Sequence, residues 1–314
     1  MQTVKDIYKN SSTPGYVELK QFMGEDVLTQ VNAARASFGK SVEELTDRDR
    51  KLFKTCARDG HTSTMEHNVF TFAFKVPLFV ARQHMRHRTW SFNEISRRYT
   101  GKDIEFFSPS CFRKQAESNR QASLIGSDFD PVVQSVTGTY MDYTVTASDA
   151  LKQHSDASMK LYNQLIDSGV SREQARMVLP QNMYTTYWGT VNLNNFFKFY
   201  ELRNHEGAQP EIQEVAVACY ELLEQVIPET MQIYKQAREE KRLREFNKYL
   251  KEFYSDNGFN GLRGCNPFLS DRLFLYYETN RYEDVYDKRI TDIDTADQKY
   301  KDHIKNYINK KLNV

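Results

Sequence analysis

The chain has little of what marks the specialised classes of protein. Its four cysteines, Cys56, Cys111, Cys219 and Cys265, stand far apart in 314 residues and without metal-ligand spacing. That pattern excludes a disulfide scaffold and a zinc ribbon, and it predicts reduced thiols in a cytoplasmic protein. No apolar run is long enough to span a bilayer, and Met1–Asn10 lacks the apolar stretch of a secretory signal, so no membrane partner is expected. Neither sign of charge prevails: 43 Lys+Arg against 42 Asp+Glu leave a formal net charge of +1. A global electrostatic footprint for nucleic acid is therefore missing, and any anion site has to be local. There is no internal repeat.

What is present suits a folded globule. Hydrophobic residues make up 39% and aromatics 13%, enough for a sizeable core, and the 27% of charged residues of both signs argues against bulk disorder. The length fits one large domain or two small ones. Residues 16–23 read as a first strand with a turn at Gly24, and residues 27–38 as a helix presenting Val27, Val31, Ala34 and Phe38 on one face. Asp47 is placed to cap a helix through Arg58 that Gly60 stops. Residues 69–76 alternate Phe70, Phe72, Phe74 and Val76, which predicts a strand with one aromatic face. Pro77 then suits the first turn of a helix running through Arg88, and residues 103–107 form a short strand ended by Ser108-Pro109. Residues 114–135 are polar and read as a loop or insertion. Helices are predicted at about 138–168, 171–178, 192–203 and 210–245, punctuated by Gly169 and Pro180. Residues 1–245 are expected to form the main domain and 246–314, rich in Tyr, Lys, Asp and Asn with a loop near 258–267, a helical extension of unknown role.

The stretch that carries chemistry runs from Arg82 to Arg98. Five arginines (Arg82, Arg86, Arg88, Arg97, Arg98) and two histidines (His84, His87) fall within 17 residues, against one carboxylate, Glu94. Guanidinium forks match phosphate oxygens bidentately, so such density calls for anions. On a helix ending near Arg88, Arg82 and Arg86 share one face and His84 and Arg88 another. The loop Thr89–Ser96 adds hydroxyls, an amide and an acid. Two readings stay open on these residues alone: a solvated basic face, or an enclosed anion site fed by the apolar strand-to-helix unit before it. His84 and His87 lack a carboxylate or cysteine to complete a metal set, so no metal is expected, and His67 reads equally as a structural histidine.

Arg86-His87-Arg88, followed after seven residues by Ser96, resembles the signature of the flavin-dependent thymidylate synthases. Further stretches look like that family in the same order: Gly15–Leu19 with Met23-Gly24 and Ala33–Phe38; Gly60-His61 through Glu66-His67; Ser168–Val170 through Ala175-Arg176 and Val178–Pro180; and Val191-Asn192 through Leu202-Arg203. The similarity covers about residues 15–235 and leaves out the tail and the 114–135 segment.

The resemblance implies an α+β fold, a small mostly antiparallel sheet flanked by helices, assembled as a homotetramer with flavin and nucleotide at subunit interfaces. Residues 61–99 and 176–203 would then meet across chains. It implies FAD as cofactor, with dUMP, 5,10-methylenetetrahydrofolate and NADPH as substrates and dTMP as product. By the same resemblance Arg203 is the catalytic electrophile. Gln83, His84, Met85, Arg86, Glu94, Ile95, Ser96, Arg97, Arg98 and Arg176 hold dUMP with it. Ser63, Arg86, His87, Arg88, Glu94, Asn192, Asn194 and Lys198 hold FAD, and His61 and Tyr99 face the folate. Arg97 replaces a residue that is often small in the family, which points to a contact through its backbone only.

Three departures fall on the flavin side. Asn194 stands where many relatives carry arginine, Lys198 where Asn or His is usual, and Gly207 in place of a histidine, with His205 two residues earlier.

Read from residue type alone, Arg203 is as well explained by a helix C-terminus, whose dipole favours a cation. Cys111 is the tempting thiol, yet it lies outside the matched motif. Ser96 has no Asp-His relay legible in the sequence, which favours phosphate hydrogen bonding over nucleophilic attack. Glu94 is as readily a salt-bridge partner for the arginines. The rival functions are a related pyrimidine-nucleotide (hydroxy)methyltransferase on the same scaffold, a non-catalytic nucleic-acid-binding protein, and a flavoprotein that has lost activity.

Overall fold

The computed structural model describes residues 3–116, 123–135, 143–205 and 207–256. The chain divides into two compact units, residues 1–56 with 61–232, and residues 57–60 with 233–314.

The first unit is α+β. β1 (Val4–Ile7) and β2 (Gly15–Met23) form an antiparallel pair, and α1 (Leu28–Ala36) and α2 (Asp47–Asp59) follow. β3 (Val69–Pro77) leads directly into α3 (Leu78–His84), and β4 (Ser91–Glu94) comes next. Two small hairpin sheets pair β5 (Phe112–Gln115) with β6 (Ser123–Phe129) and β7 (Val132–Gln134) with β8 (Thr144–Thr146). α4 (Ala147–Asp167), α5 (Arg172–Ala175), β9 (Tyr184–Asn192), α6 (Leu193–Arg203) and α7 (Pro210–Val226) complete the unit, and α8 (Pro228–Asp256) begins in it. The main sheet runs β1-β2-β3-β9-β4 and is antiparallel throughout.

The aromatic face expected for β3 is real. Phe70, Phe72, Phe74 and Val76 are all fully buried. At about 1.5–3 kcal/mol for each large side chain removed from water, that face anchors the core. β9 is not among the expected strands, although it is the central partner of β3 over its whole length, from Val69↔Asn192 to Pro77↔Tyr184. Gly189 lies in its middle and obscures the strand in sequence. A Cβ there would sit 3.0 Å from Phe74 and 3.1 Å from Trp90, so only glycine lets the aromatic rings close over the strand.

Several boundaries differ from the sequence reading. α1 ends at Ala36, and Phe38 is 78% exposed rather than part of its buried face. Asp47 is the first residue of α2, not its cap; the Asp49 carboxylate reaches back to the Thr46 amide and hydroxyl. The helix after Pro77 stops at His84, four residues short of Arg88, and residues 85–90 form tight turns closed by His87 N–H to His84 O and Trp90 N–H to His87 O. The chain must turn there because Trp90 is buried and β4, read as loop, pairs with β9. Residues 103–107 make one isolated bridge, Phe106 to Met183, instead of a strand. The polar 114–135 segment holds β6, β7 and the end of β5; its residues 117–122 lie outside the described residues. The helix expected from 138 begins at Ala147, capped by the Thr146 hydroxyl. Helix 210–245 is two helices, parted at Ile227 where Asp26 caps the second through the amides of Glu229 and Thr230.

In the second unit, Arg58 bonds Asp59 and lies 3.5 Å from Glu240, while Arg244 lies 3.7 Å from Asp59. The backbone of residues 246–256 continues α8, and the loop read at 258–267, with Cys265, lies outside the described residues. No described helix is long and apolar enough to cross a membrane.

Candidate active site

α3, the turn after it, β4 and the C-terminal end of α6 converge on one corner of the sheet. Rings of the core fix that corner: Phe74 stacks on Tyr187 at 4.9 Å, and Trp90 stands edge-on to Phe199 at 5.3 Å. His84 fills the space between them. Its imidazole is fully buried, Nδ1 lies 2.9 Å from the Tyr187 hydroxyl, and its ring stacks on Phe199 at 4.5 Å. The resemblance makes His84 a nucleotide ligand; its side chain is core, and only its main chain is left for such a role. Burial pushes its pKa well below the ordinary 6.5, with smaller pushes from His87 and Arg203.

Outside this cage sits the charged part. Arg203, the last residue of α6, donates from Nε to His87 Nε2 at 2.9 Å and from Nη2 to the Gln83 carbonyl at 3.1 Å. Burial lowers the His87 pKa to about 4, helped by the Arg203 charge, so the imidazole is neutral and accepts the bond. Burial and then the charge of Arg86 hold the Arg203 pKa below its ordinary range. An arginine stays protonated under such shifts, so two like charges stand near each other. Among the described residues no carboxylate pairs with Arg82, Arg86, Arg88 or Arg203. Arg82, Arg86 and Arg88 are exposed. A cationic cluster without its own counter-charge is built to take an anion.

The other predicted residues divide by what already holds them. The Gln83 amide donates to Gln209 Oε1 at 2.5 Å. The Glu94 carboxylate is exposed and accepts from the Thr185 hydroxyl at 2.6 Å, rather than pairing with an arginine. Ile95 donates its amide to Thr186 O, extending β4 along β9. Ser96 Oγ accepts from the Arg98 amide at 3.3 Å, opening a turn over residues 96–100. Arg97 is 7% exposed and its guanidinium donates to the carbonyls of Lys102 and Asp103. Those bonds leave its backbone, not its charge, facing the turn. Arg98 lies 3.5 Å from Glu173 and its guanidinium sits 5.9 Å over the ring of Tyr99, which is 79% exposed. Arg176 is exposed one turn beyond Glu173 and bonds its carbonyl. Met85 is half-buried at the end of α3.

Of the groups read as flavin ligands, Arg86, His87, Arg88 and Glu94 belong to this corner, while the others stand along α6 toward its far end, 11 residues and about 16 Å away. Asn192 caps the helix by accepting from the Asn195 amide. Asn194 is buried and donates to Glu66 Oε1 at 3.0 Å, tying α6 to the segment after the short 3-10 turn Thr62–Met65 that carries exposed Ser63. Lys198 is exposed, 3.5 Å from Asn195 Oδ1. His61 precedes the 3-10 turn and is exposed. The Gly207 amide bonds His205 Nδ1 at 3.0 Å, so that histidine is held to its own loop.

Within one chain, then, the 61–99 and 176–203 segments already meet at His87–Arg203 and Glu66–Asn194, and Arg98 reaches Glu173 just before the second segment. The sequence reading missed Tyr187, Trp90 and Phe199, which shape the cage, and Gln209, which holds Gln83. Phe199 had a legible signal: it precedes Arg203 by four, one helical turn.

The family model described as "Thymidylate synthase complementing protein" matches residues 18–229. The chain belongs to this family, the flavin-dependent thymidylate synthases. It is 40% identical over 214 residues to a flavin-dependent thymidylate synthase of Thermus thermophilus, covering 68% of this chain and 73% of that protein. It is 36% identical over 220 residues to the Thermosipho africanus enzyme, covering 70% and 90%. Among solved structures, PolB of Streptomyces cacaoi, a UMP/dUMP methylase bound with 5-Br UMP, superposes with a TM-score of 0.57 at 28% identity, over 71% of this chain and 94% of that one. Like the thymidylate synthases of the family, the chain is an enzyme of the methyltransferase class. The matched region contains the whole Arg82–Arg98 stretch and Arg203.

Proposed function

We propose that this thymidylate synthase methylates dUMP at C5 to give dTMP, taking the one-carbon unit from 5,10-methylenetetrahydrofolate with FAD as cofactor and NADPH as reductant. The observation that carries the reading is the Arg86–Arg203 pair. Two cations without a carboxylate are held near one another, one of them fixed by a neutral histidine.

Uracil C5 is a weak nucleophile, and a thiol or a fixed charge can activate the ring. Arg203 supplies the charge: set against the pyrimidine, it stabilises the negative charge that develops as C5 attacks. A preorganised donor of that kind is typically worth roughly 3 kcal/mol or more. Arg86, the turn at Ser96–Arg98 and Arg176 grip the nucleotide phosphate, and Glu94, held by Thr185, is free on its other oxygen to accept from a sugar hydroxyl. The residues present also fit a flavin. Exposed Ser63 and Lys198, with Asn192 at a helix N-terminus, offer a cation and donors for a dinucleotide diphosphate, and exposed Arg88 offers a further cation at the Arg203 end. A flavin held by these residues would supply the reducing equivalents needed to convert a transferred methylene into a methyl. His61 and Tyr99 are the residues assigned to the folate.

These ligands lie on the surface of one protomer, so an enclosed pocket needs a second surface over them. A homotetramer with shared active sites supplies it, and light scattering on purified protein tests that arrangement. Activity on UMP as well as dUMP is the second reading, because PolB is described as a UMP/dUMP methylase. The experiment is a visible absorption spectrum followed by product mass from dUMP and from UMP. Flavin bands and dTMP support the proposal. A colourless folded protein that leaves dUMP unchanged refutes it.

A further inference from the structure

The side chain of His84 has no part in the ligand contacts assigned to this corner. A phenylalanine would fill the same cage of Phe74, Trp90, Phe92 and Phe199 rings without a polar cost. The imidazole carries one: it is fully buried, and Nε2 has no hydrogen-bond partner among the described residues. A buried unpartnered nitrogen is destabilising, and such groups in native structures call for an explanation.

Its position supplies one. The single polar contact, Nδ1 to the Tyr187 hydroxyl at 2.9 Å, fixes the rotation of the ring and ties the end of α3 to β9. His84 then reaches Arg203's supports by two routes, the second of them through its ring. Through the main chain, the His84 carbonyl accepts the His87 amide at 2.9 Å. Through the core, Phe199 lies stacked on His84 at 4.5 Å on one side and edge-on to the His87 ring at 5.0 Å on the other. Phe199 is also one helical turn before Arg203 on α6. The packing of Phe199, on the helix that carries Arg203, and through it of the His87 ring therefore bears on one imidazole that one hydroxyl orients.

We propose that His84 and Tyr187 act as a buried positioning pair that holds His87 and Arg203 in the geometry the transferase reaction needs. This rests on the assignment of Arg203 above. Neutrality of the imidazole follows from its burial and is consistent with the role, because a charged ring would repel Arg203.

The test uses full-length protein loaded with flavin, in three forms: His84→Phe, Tyr187→Phe and the double variant. A displacement of about 1 Å remote from the chemistry costs on the order of 100-fold in rate. The expected result is a fall in kcat per bound flavin of about 10- to 100-fold, with KM for dUMP within about twofold of wild type. The double variant should be no slower than the slower single one, since the two residues act as a unit. A kcat within about twofold of wild type in both single variants, whatever the loss of Tm, would overturn the proposal and leave the pair purely structural. Multiplying losses in the double variant would overturn it too. If His84→Phe does not fold, Tyr187→Phe, which lacks one oxygen, decides.

A second readout needs neither flavin nor turnover. The NMR shift of His87 Nε2 in histidine-labelled protein reports its bond from Arg203. It should move in Tyr187→Phe, and an unmoved signal counts against the pair even if the wild type makes no dTMP, an outcome that would remove the functional assignment instead.

Discussion

Arg203 and His87 meet through one hydrogen bond, 2.9 Å from Nε to Nε2, with the imidazole as acceptor. A cation is thus bound by a neutral ring rather than by a carboxylate. The charge is steered without being cancelled, which leaves it available to a ligand. A carboxylate in the same place would fix the guanidinium more firmly and blunt the field it offers to a pyrimidine.

Replacing Arg203 separates this charge from the fold. Arg203→Ala should reduce dTMP formation by at least about 100-fold, the scale seen when a single preorganised donor is removed. Folding should hold, because the side chain pairs with no carboxylate and its loss relieves repulsion from Arg86. Turnover assays beside thermal melts check both halves. Arg203→Lys should recover little, since an ammonium lacks the planar fork that reaches His87 and the Gln83 carbonyl together. Near-normal turnover in Arg203→Ala would remove it as the electrophile.

The same bond sets a pH dependence. The His87 pKa is lowered from 6.5 to about 4 by burial and then by Arg203. Below 6.5 the unfolded chain takes up a proton that the folded protein refuses until about pH 4, so stability falls as the pH drops through that window. His84 acts in the same direction, while Glu214, whose carboxyl burial pushes up, acts in the opposite one. His87→Gln keeps an acceptor for Arg203 without a titrating group. Melts from about pH 7 to about pH 4.5 should therefore fall less steeply in His87→Gln than in the wild type. Parallel curves would show that the imidazole does not titrate as the geometry requires.

How far this was legible in the sequence depends on where the deciding interaction lies. β3 was readable because four alternating apolar residues have no helical rival. The end of α3 was not, because Arg82, Arg86 and His84, Arg88 keep a helical spacing past His84, and what stops the helix is the burial of Trp90 and the pairing of β4 with a strand about 100 residues later. The arginine cluster was visible as composition. Its division into a structural Arg97, a paired Arg98 and the uncompensated Arg82, Arg86 and Arg88 depends on carbonyls and a carboxylate that only the fold supplies. Likewise His87 becomes an acceptor only because α6 returns from 116 positions away.

Gly189 tests the packing that makes the site possible. Its absent side chain leaves room for Phe74 and Trp90, both walls of the His84 cage. An added methyl would meet ring atoms at 3.0 and 3.1 Å, tighter than ordinary contact. Overpacking of this kind costs about 1–3 kcal/mol. Gly189→Ala should lower stability by that amount in urea denaturation. Since the rings that must shift hold His84, turnover should fall as well at temperatures where the variant is folded. An unchanged midpoint would mean that the two rings yield without cost.

Cys111 remains the thiol that could compete with Arg203 for the activation of uracil. It is half-exposed, and its sulfur lies 3.6 Å from the Ser110 hydroxyl. Among the described residues no histidine, lysine or arginine is bonded to it, so the activating base or cation that a nucleophilic cysteine uses is not in place. If ring activation comes from a fixed charge, Cys111→Ser should keep kcat within about twofold and leave the flavin spectrum unchanged. Mass spectrometry after trapping with 5-bromo-dUMP should find no nucleotide attached to the protein. A loss of turnover above about 100-fold in Cys111→Ser, with a nucleotide adduct on the wild-type peptide, would transfer the role of nucleophile to this cysteine and leave Arg203 as a ligand of the nucleotide alone.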